Sequence, residues 1–383
     1  MKSAQRSGLG RVAPAAGEID LLRAAILEPD MAADAWSRWR VDHDLDGSHG
    51  RAHAVFPAVA ANLAGANLGD DAGRLAGLRR RTWATNQLAF KAAGRALDEL
   101  QPLGREPIVA KGVALAHTAY PHVGNRSMSD IDVIVGDDLF EEAMELLVAA
   151  GWALAPHSRQ ASYAHACSVL DGVGNEVDLH RWMVFPRFCR TPEQWSDRAV
   201  PMTIEGRRCQ RYSSADELVL SVVHGMGPEH SSSIRWPIDV AMLVSYASGD
   251  SLDESICESF WDDVVDSVNE LGIARPVVAG LQFCVDHFDV AVPAEVVARL
   301  DESRTDRIVD LEWCMLTRGI PRPERIRPFI DTERANGRRP SARRYVAGRM
   351  SAARDGGGSV TMIRRRVDKA SRIIAARQQR RLW

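Results

Sequence analysis

The spacing of apolar residues changes near Pro107, and this change constrains the fold more than any other feature of the sequence. From Ile19 to Leu103, apolar side chains recur every three to four residues, which predicts about four amphipathic helices. Beyond Pro107, "PIVAKG" and "DIDVIV" are short runs, and the second alternates as a strand does. Helical spacing returns from Ala215 onward. The sequence therefore predicts a small strand-containing core between two helical regions.

The core is predicted to begin with the order β-α-β-α-β-β over residues 105–182. An amphipathic helix follows "DIDVIV" and ends at Gly151, and "HACSVL" and "EVDLHRW" flank the turn-like "DGVGN", a pattern typical of a hairpin. We expect an α+β (mixed α/β) fold, in which a small mixed sheet carries helices on one side. The predicted segments are a disordered lead (1–18), an N-terminal helical region (19–104), the core (105–212), a C-terminal helical region (213–318) and a basic Pro/Arg-rich tail with a terminal amphipathic helix (319–383).

Charge is distributed unevenly along the chain. From Arg318 to the last residue there are 19 Lys and Arg against 5 Asp and Glu, a net charge of +14; because the whole chain carries −3, residues 1–317 carry −17. Such a tail can contact an anionic partner, nucleic acid or a membrane surface, or it can fold back onto the acidic body or stay solvated.

Composition excludes several classes of protein. The N-terminus lacks the apolar segment of a signal peptide, and no run approaches the roughly 20 apolar residues of a membrane span. We therefore expect no transmembrane segment and a cytoplasmic location. The six cysteines are scattered without a C-x-x-C pair, which argues against a zinc site or a disulfide framework and favours reduced thiols.

Two aspartates, Asp130 and Asp132, stand at the head of the apolar run "DIDVIV". Strand residues two apart point to the same side, and two carboxylates about 4 Å apart repel by roughly 4 kcal/mol at an effective dielectric constant near 20. A divalent cation between them converts that repulsion into binding energy. Mg²⁺ is commonly held by one or two carboxylates while substrate phosphates complete its coordination. The pair is a candidate metal site; a solvated pair of strand-end acids is the alternative.

A third carboxylate, Asp178, lies in "EVDLH", where it shares a strand face with Glu176 and His180. We expect Asp178 to be a metal ligand; an ion pair with Arg181 or Arg126 is the alternative. His180 can contact a phosphate or orient a carboxylate, and a hydrogen-bonded structural histidine fits the pattern equally well.

The turn "AKG" supplies candidate phosphate-binding groups. Lys111 and Gly112 end a strand and lead into a helix, so an ammonium and backbone N–H groups would lie at a helix N-terminus. Arg126 precedes Asp130 by four residues and could bind a phosphate through two hydrogen bonds. Ser127 could donate to the same phosphate, although loop serines more often cap turns or face water.

Together, "KGVALAHTAYPHVGNRSMSDIDVIV", the later "GW" and "NEVDLHRW" resemble the bacterial "uncharacterised nucleotidyltransferase" family of the DNA polymerase beta-like superfamily. Its members carry a Lys-Gly turn, an Arg shortly before an Asp-x-Asp strand, and a Val-Glu/Asp-Leu-His strand. The flanking "RRRTWATNQLAF" and "DELVLSVVHGMGPEHSSSIRWPIDVAMLV" are similar to flanking helices of that family, so the resemblance covers about residues 19–300. It implies a minimal polymerase-beta-like nucleotidyltransferase core.

The resemblance also implies a reaction: transfer of a nucleoside monophosphate from a nucleoside triphosphate to an acceptor hydroxyl, in line, with two Mg²⁺ or Mn²⁺ ions and release of pyrophosphate. Asp130 and Asp132 would hold both ions, and Asp178 would complete one site. Lys111 and Arg126 would neutralise the β- and γ-phosphates. Better-studied superfamily members differ in having Gly-Ser at the position of the Lys-Gly turn and, more commonly, Glu at the position of Asp178.

Other functions remain open from the sequence. A metal-dependent glycosyltransferase also uses Asp-x-Asp, normally after a longer series of βα units. The fold could instead be an inactive nucleotide- or nucleic-acid-binding module that uses the basic tail. The acceptor is equally open: a small hydroxyl compound, a peptide or protein side chain, or an RNA end.

Overall fold

The computed structural model describes residues 9–48, 50–155, 166–183, 197–226, 234–249 and 254–318. In this part of the chain, twelve α-helices surround one seven-stranded mixed sheet. The expected α+β fold is confirmed. The basic tail, with its predicted terminal helix, lies outside the described residues.

The N-terminal region is helical, as the apolar spacing predicts. Its helices are α1 (Ala16–Ile26), α2 (Pro29–Asp42), α3 (Phe56–Asn62) and α4 (Asp70–Leu100), with 3-10 helices at Gly10–Val12, Ala52–Ala54 and Gln101–Leu103. The prediction that residues 1–18 are disordered is wrong for residues 9–18, which are folded. Leu9 is fully buried, and α1 starts at Ala16 with a cap in which the Glu18 carboxylate accepts from the Ala15 N–H at 2.8 Å.

The sheet contains more strands than the sequence predicts. Its strands are β1 (Ile108–Ala110), β2 (Ile131–Ile134), β3 (Ala153–Leu154), β4 (Ala166–Leu170), β5 (Glu176–His180), β6 (Val200–Ile204) and β7 (Arg207–Arg211), in the spatial order β3-β4-β5-β2-β1-β7-β6. The core helices are α5 (Lys111–Thr118), the 3-10 helix Val123–Asn125 and α6 (Phe140–Ala149). The predicted β4–β5 hairpin is confirmed. The β6–β7 hairpin was not predicted, because "RRCQR" has one apolar residue and no alternation.

The two faces of the sheet differ in chemistry. On one face, Ile131, Val133 and Val177 join a buried apolar cluster with side chains of α4 and α6. On the other face, Ile134 belongs to a small apolar cluster that includes Leu220. Leu220 comes from a C-terminal helix, so helices cover part of both faces rather than one side as predicted. The second face also carries the aspartates of β2 and β5.

The N-terminal and C-terminal helical regions, which precede and follow the sheet in sequence, pack into one core. The C-terminal helices are α7 (Ser214–Gly225), α8 (Trp236–Ser248), α9 (Glu254–Leu271), α10 (Ala274–Phe288), α11 (Ala294–Glu302) and α12 (Arg307–Thr317). Leu22 and Phe56 of the N-terminal helices share a buried cluster with Val264 and Phe283 of the C-terminal ones. Helix α4 joins this core to the sheet, since Leu75 lies in the helical cluster and Phe90 in the cluster under the sheet. No described helix has both the length and the apolar character needed to cross a membrane.

Two helical glycines should respond oppositely to replacement by alanine. In Gly280→Ala the new methyl would lie 2.6 Å from Val222 Cγ1, so α10 and α7 must separate, and we expect the free energy of unfolding to fall by about 1–3 kcal/mol. A methyl added to Gly77 of α4 would meet no described atom within 4 Å beyond its own stretch of helix, so Gly77→Ala should raise the free energy of unfolding by about 0.5–1 kcal/mol through helix propensity. Urea unfolding followed by circular dichroism measures both; equal shifts would contradict the packing described for α7 and α10.

Candidate active site

Parallel pairing of β2 with β5 brings Asp132 and Asp178 together. The two residues are direct partners in the strand register, and Asp132 is also paired with Ala110 across β1. Because side chains alternate along a strand, both aspartates point away from the apolar face formed by Ile131 and Val177. Neighbouring strands lie about 4.8 Å apart, so the two carboxylates are neighbours on one face.

His180 completes a three-residue cluster with the two aspartates. It lies two residues beyond Asp178 on β5, and its Nε2 is 2.9 Å from Asp132 Oδ1. One potential ligand atom from each of Asp132, Asp178 and His180 lies within 4.8 Å of the others. The sequence assigns metal binding to Asp130, Asp132 and Asp178 and phosphate binding to His180. The structure thus brings a histidine, rather than Asp130, into the closest group.

Lys111 contacts the same carboxylate from the end of β1. Its Nζ donates to Asp132 Oδ1 at 2.7 Å, and its φ of 49° lies in the left-handed region, which costs a non-glycine residue about 1–3 kcal/mol. Burial alone would raise the pKa of Asp132, but Lys111 and His180 outweigh it and hold that pKa well below its usual value. Burial likewise opposes the Lys111 ammonium, yet the nearby aspartates leave its pKa raised. Both groups are therefore charged at neutral pH.

Asp130 lies beside this cluster, one residue before β2 begins. Ser129 Oγ donates to its Oδ1 at 3.1 Å. The pKa of Asp130 is raised, first by burial and then by the negative charge of Asp132, with Lys111 opposing both. Like-charge repulsion between the two aspartates, which the sequence predicts, is therefore present in the folded chain. A cation between them would relieve it.

The two arginines considered as ion-pair partners of Asp178 bind other carboxylates. Arg181 binds Asp137, with 2.6 Å between Nη1 and Oδ1, and Arg126 binds Asp239. Asp178 accepts a hydrogen bond from Ser168, its partner across the β4–β5 hairpin. Sequence reasoning missed Ser168, although the hairpin register, once known, places it opposite Asp178. Asp178 remains partly exposed on the polar face.

The structure gives Arg126 a partner other than the predicted phosphate. Its Nε and Nη2 donate to the two carboxylate oxygens of Asp239, at 2.7 and 3.0 Å, and the side chain is buried. Ser127 Oγ donates to the carbonyl of Ala54 at 3.0 Å and accepts from Arg235 Nη1 at 2.8 Å. Both side chains are thus engaged within the protein, because Asp239 of α8 and Arg235, which precedes that helix, bind to this loop.

Gly112 is the second residue of α5, at the predicted helix N-terminus. A Cβ at this position would lie 3.1 Å from Arg126 Nη1 and 3.2 Å from Met128 Cγ. Glycine therefore allows Arg126 to approach the first turn of α5. The sequence did not identify Asp239; the available signal was a single acid in the otherwise apolar "PIDVAMLV", since a buried charge needs a partner.

Comparison with known proteins agrees with these motifs. A family model described as "Uncharacterised nucleotidyltransferase" matches residues 49–289. A search of curated proteins finds no match. Among solved structures, an antigenic nucleotidyltransferase-like protein from Paracoccidioides brasiliensis is similar with 12% identity and a TM-score of 0.28, over 60% of this chain and 95% of that one.

The family match covers more than half of the chain and contains every candidate site residue, from Lys111 to Asp239. This chain belongs to the family of uncharacterised nucleotidyltransferases.

Proposed function

We propose that this protein transfers a nucleoside monophosphate from a nucleoside triphosphate to an acceptor hydroxyl and releases pyrophosphate. The observation that carries the proposal is the direct pairing of Asp132 with Asp178 on adjacent parallel strands, with Lys111 and His180 converging on Asp132. Family membership supports the reaction class. The polar face of the sheet is where the reaction would take place.

The donor groups fit one or two divalent cations. Asp132 is ionised, Asp178 offers a partly exposed carboxylate, and Asp130 lies close enough for the charge of Asp132 to raise its pKa. Carboxylate oxygens suit Mg²⁺ or Mn²⁺. We assign the metal-ligand role to Asp130, Asp132 and Asp178. His180 would hold the Asp132 carboxylate in place or add its own ring nitrogen.

When bound, two such ions would stabilise the entering and leaving oxygens of an in-line displacement. The protein supplies orientation and charge. Ser168 holds the Asp178 carboxylate, and His180 holds that of Asp132. We assign neutralisation of the triphosphate to the Lys111 ammonium, which lies next to Asp132. We assign further phosphate binding to the N–H groups of the first turn of α5, including that of Gly112.

The products test the reaction class. We expect incubation of the purified full chain with each nucleoside triphosphate, Mg²⁺ or Mn²⁺ and candidate acceptors to release pyrophosphate and to add one nucleoside monophosphate to the acceptor, as measured by mass spectrometry. The acceptors should include small hydroxyl compounds, peptides and RNA. Release of a nucleoside diphosphate with glycosyl transfer would instead support the glycosyltransferase alternative. Nucleotide binding without turnover on any acceptor would favour a binding module.

Removal of the charge of either paired carboxylate should strongly reduce turnover. Asp132→Asn and Asp178→Asn keep the side-chain shape but remove a negative charge, and we expect each to lower kcat/KM by about 100-fold or more. Asp98→Asn is the matched control, because Asp98 is an exposed carboxylate on α4 whose partner is Arg207 at 2.7 Å. Its kcat/KM should stay within about twofold of the parent. Full activity in Asp132→Asn would rule out the proposed site.

Activity should also depend on a divalent cation. We expect excess EDTA to stop pyrophosphate release and added Mg²⁺ or Mn²⁺ to restore it. The aspartates and the triphosphate are all negatively charged, so they repel one another unless a cation lies between them. Circular dichroism before and after chelation checks that the fold is retained. Turnover that continues in EDTA after exhaustive dialysis would contradict a metal-dependent mechanism.

A further inference from the structure

Helix α8 contacts the segment that leads into the candidate active site. Residues 119–130 connect α5, which begins at Lys111, to β2, which contains Asp132. Two side chains of this segment, those of Tyr120 and Arg126, converge on Asp239 of α8. Tyr120 donates its hydroxyl to Asp239 Oδ1 at 2.6 Å, and Arg126 donates to both carboxylate oxygens, at 2.7 and 3.0 Å. One carboxylate thus holds two points of the segment.

This arrangement is closed to solvent. Tyr120, Arg126 and Asp239 are 6%, 4% and 5% exposed. On the opposite side, Asn86 of α4 donates to the backbone carbonyls of Val123 and Arg126, at 2.6 and 2.7 Å. The segment is therefore fixed between α4 and α8, through both its side chains and its backbone.

Arg126 also connects the segment to the helix that begins with Lys111. Its Nη1 lies against Gly112, only 3.1 Å from where a Cβ of that residue would be. Burial raises the pKa of Glu217, which lies nearby, to about 8, whereas Arg126 keeps the pKa of Asp239 low despite burial. Asp239 is therefore the carboxylate that balances the charge of Arg126 at neutral pH. Loss of its charge would leave a guanidinium buried beside the first turn of α5 without a full counter-ion.

The position of Asp130 depends on this segment more than that of Asp132 does. Asp132 is held by strand partners on both sides, in β1 and β5. Strand pairing of β2 begins at Ile131, so Asp130 lies just before the ladder and follows directly from the segment that Asp239 holds. A ligand that is displaced by about 1 Å loses much of its contribution to metal binding.

We propose that Asp239 is a positioning residue for the metal site: through Arg126 and Tyr120 it sets where Asp130 lies relative to Asp132 and Lys111. This inference rests on the proposed function for the role of the aspartates. It gives Arg126 a role in positioning in place of direct phosphate binding. It also makes α8, whose apolar side chains belong to the helical core, a functional part of the active site.

Metal binding without nucleotide tests the inference apart from activity. Free Mn²⁺ is measured by electron paramagnetic resonance during titration of the full chain and its variants. We expect Asp239→Asn and Arg126→Lys to weaken Mn²⁺ binding about 10-fold, the range seen when residues behind metal ligands are changed. Tyr120→Phe removes one hydrogen bond and leaves the ion pair, so it should weaken binding in the same direction by a smaller factor.

Asp216→Asn is the matched control. Asp216 of α7 is also a buried aspartate, and it accepts from Arg198 Nε at 3.2 Å and from Ser267 Oγ at 2.5 Å, two residues that lie outside the segment 119–130. We expect Asp216→Asn and Asp239→Asn to lower the melting temperature alike, with weaker Mn²⁺ binding only in Asp239→Asn.

The outcomes separate the two proposals. If the parent protein does not bind Mn²⁺, or if Asp132→Asn binds it equally well, both the proposed metal site and this inference are overturned. If Asp132→Asn abolishes binding while Asp239→Asn binds as tightly as Asp216→Asn, only the inference is overturned. If Asp239→Asn does not fold, Arg126→Lys and Tyr120→Phe decide: unchanged Mn²⁺ affinity in both overturns the positioning role.

Discussion

The candidate site depends on the parallel pairing between β2 and β5. This pairing places Asp132 opposite Asp178, and the same register places Ile131 opposite Val177 on the other face. Because the side-chain period of a strand is two, a shift of one residue in this pairing would turn the aspartates into the apolar core and expose the apolar side chains. Burial of the apolar face against α4 and α6 therefore also fixes the polar face. The fold and the site are specified by one set of strand contacts.

Gathering carboxylates on a partly buried face costs free energy, and the neighbouring residues show how the protein offsets it. Asp132, the most buried of the three aspartates, receives hydrogen bonds from Lys111 and His180. Asp178 is less buried and has the Ser168 hydroxyl. Asp130 accepts from the Ser129 hydroxyl, yet burial and the negative charge of Asp132 raise its pKa. Compensation is thus less complete at Asp130 than at Asp132, and a cation bound beside Asp130 would supply the missing positive charge.

The sequence predicted the polar face well because strand periodicity is a local property. "DIDVIV" and "EVDLH" each show, without any other part of the chain, which residues share a side. The resemblance to nucleotidyltransferases then predicted that the aspartates of the two strands belong to one site. The spatial order of the strands could not be predicted from local patterns: β1 lies between β2 and β7, and the sequence of β7, "RRCQR", is too polar to be recognised as a strand by composition.

Arg126 shows why local patterns cannot identify every role. Its spacing from Asp130 fits a phosphate-binding arginine, but its partner Asp239 is 113 residues away and meets it only in the folded chain, where Asp239 of α8 contacts the segment that leads into β2. A buried arginine that donates two hydrogen bonds to one carboxylate is stabilised by that ion pair. To reach a substrate it would have to break both hydrogen bonds, at a cost in free energy. Contacts between residues far apart in sequence thus determine whether a positively charged side chain near an active site binds substrate or positions other residues of the site. The lone acid in "PIDVAMLV" was the local sign that some cation had to be buried against this helix, and the structure identifies that cation as Arg126.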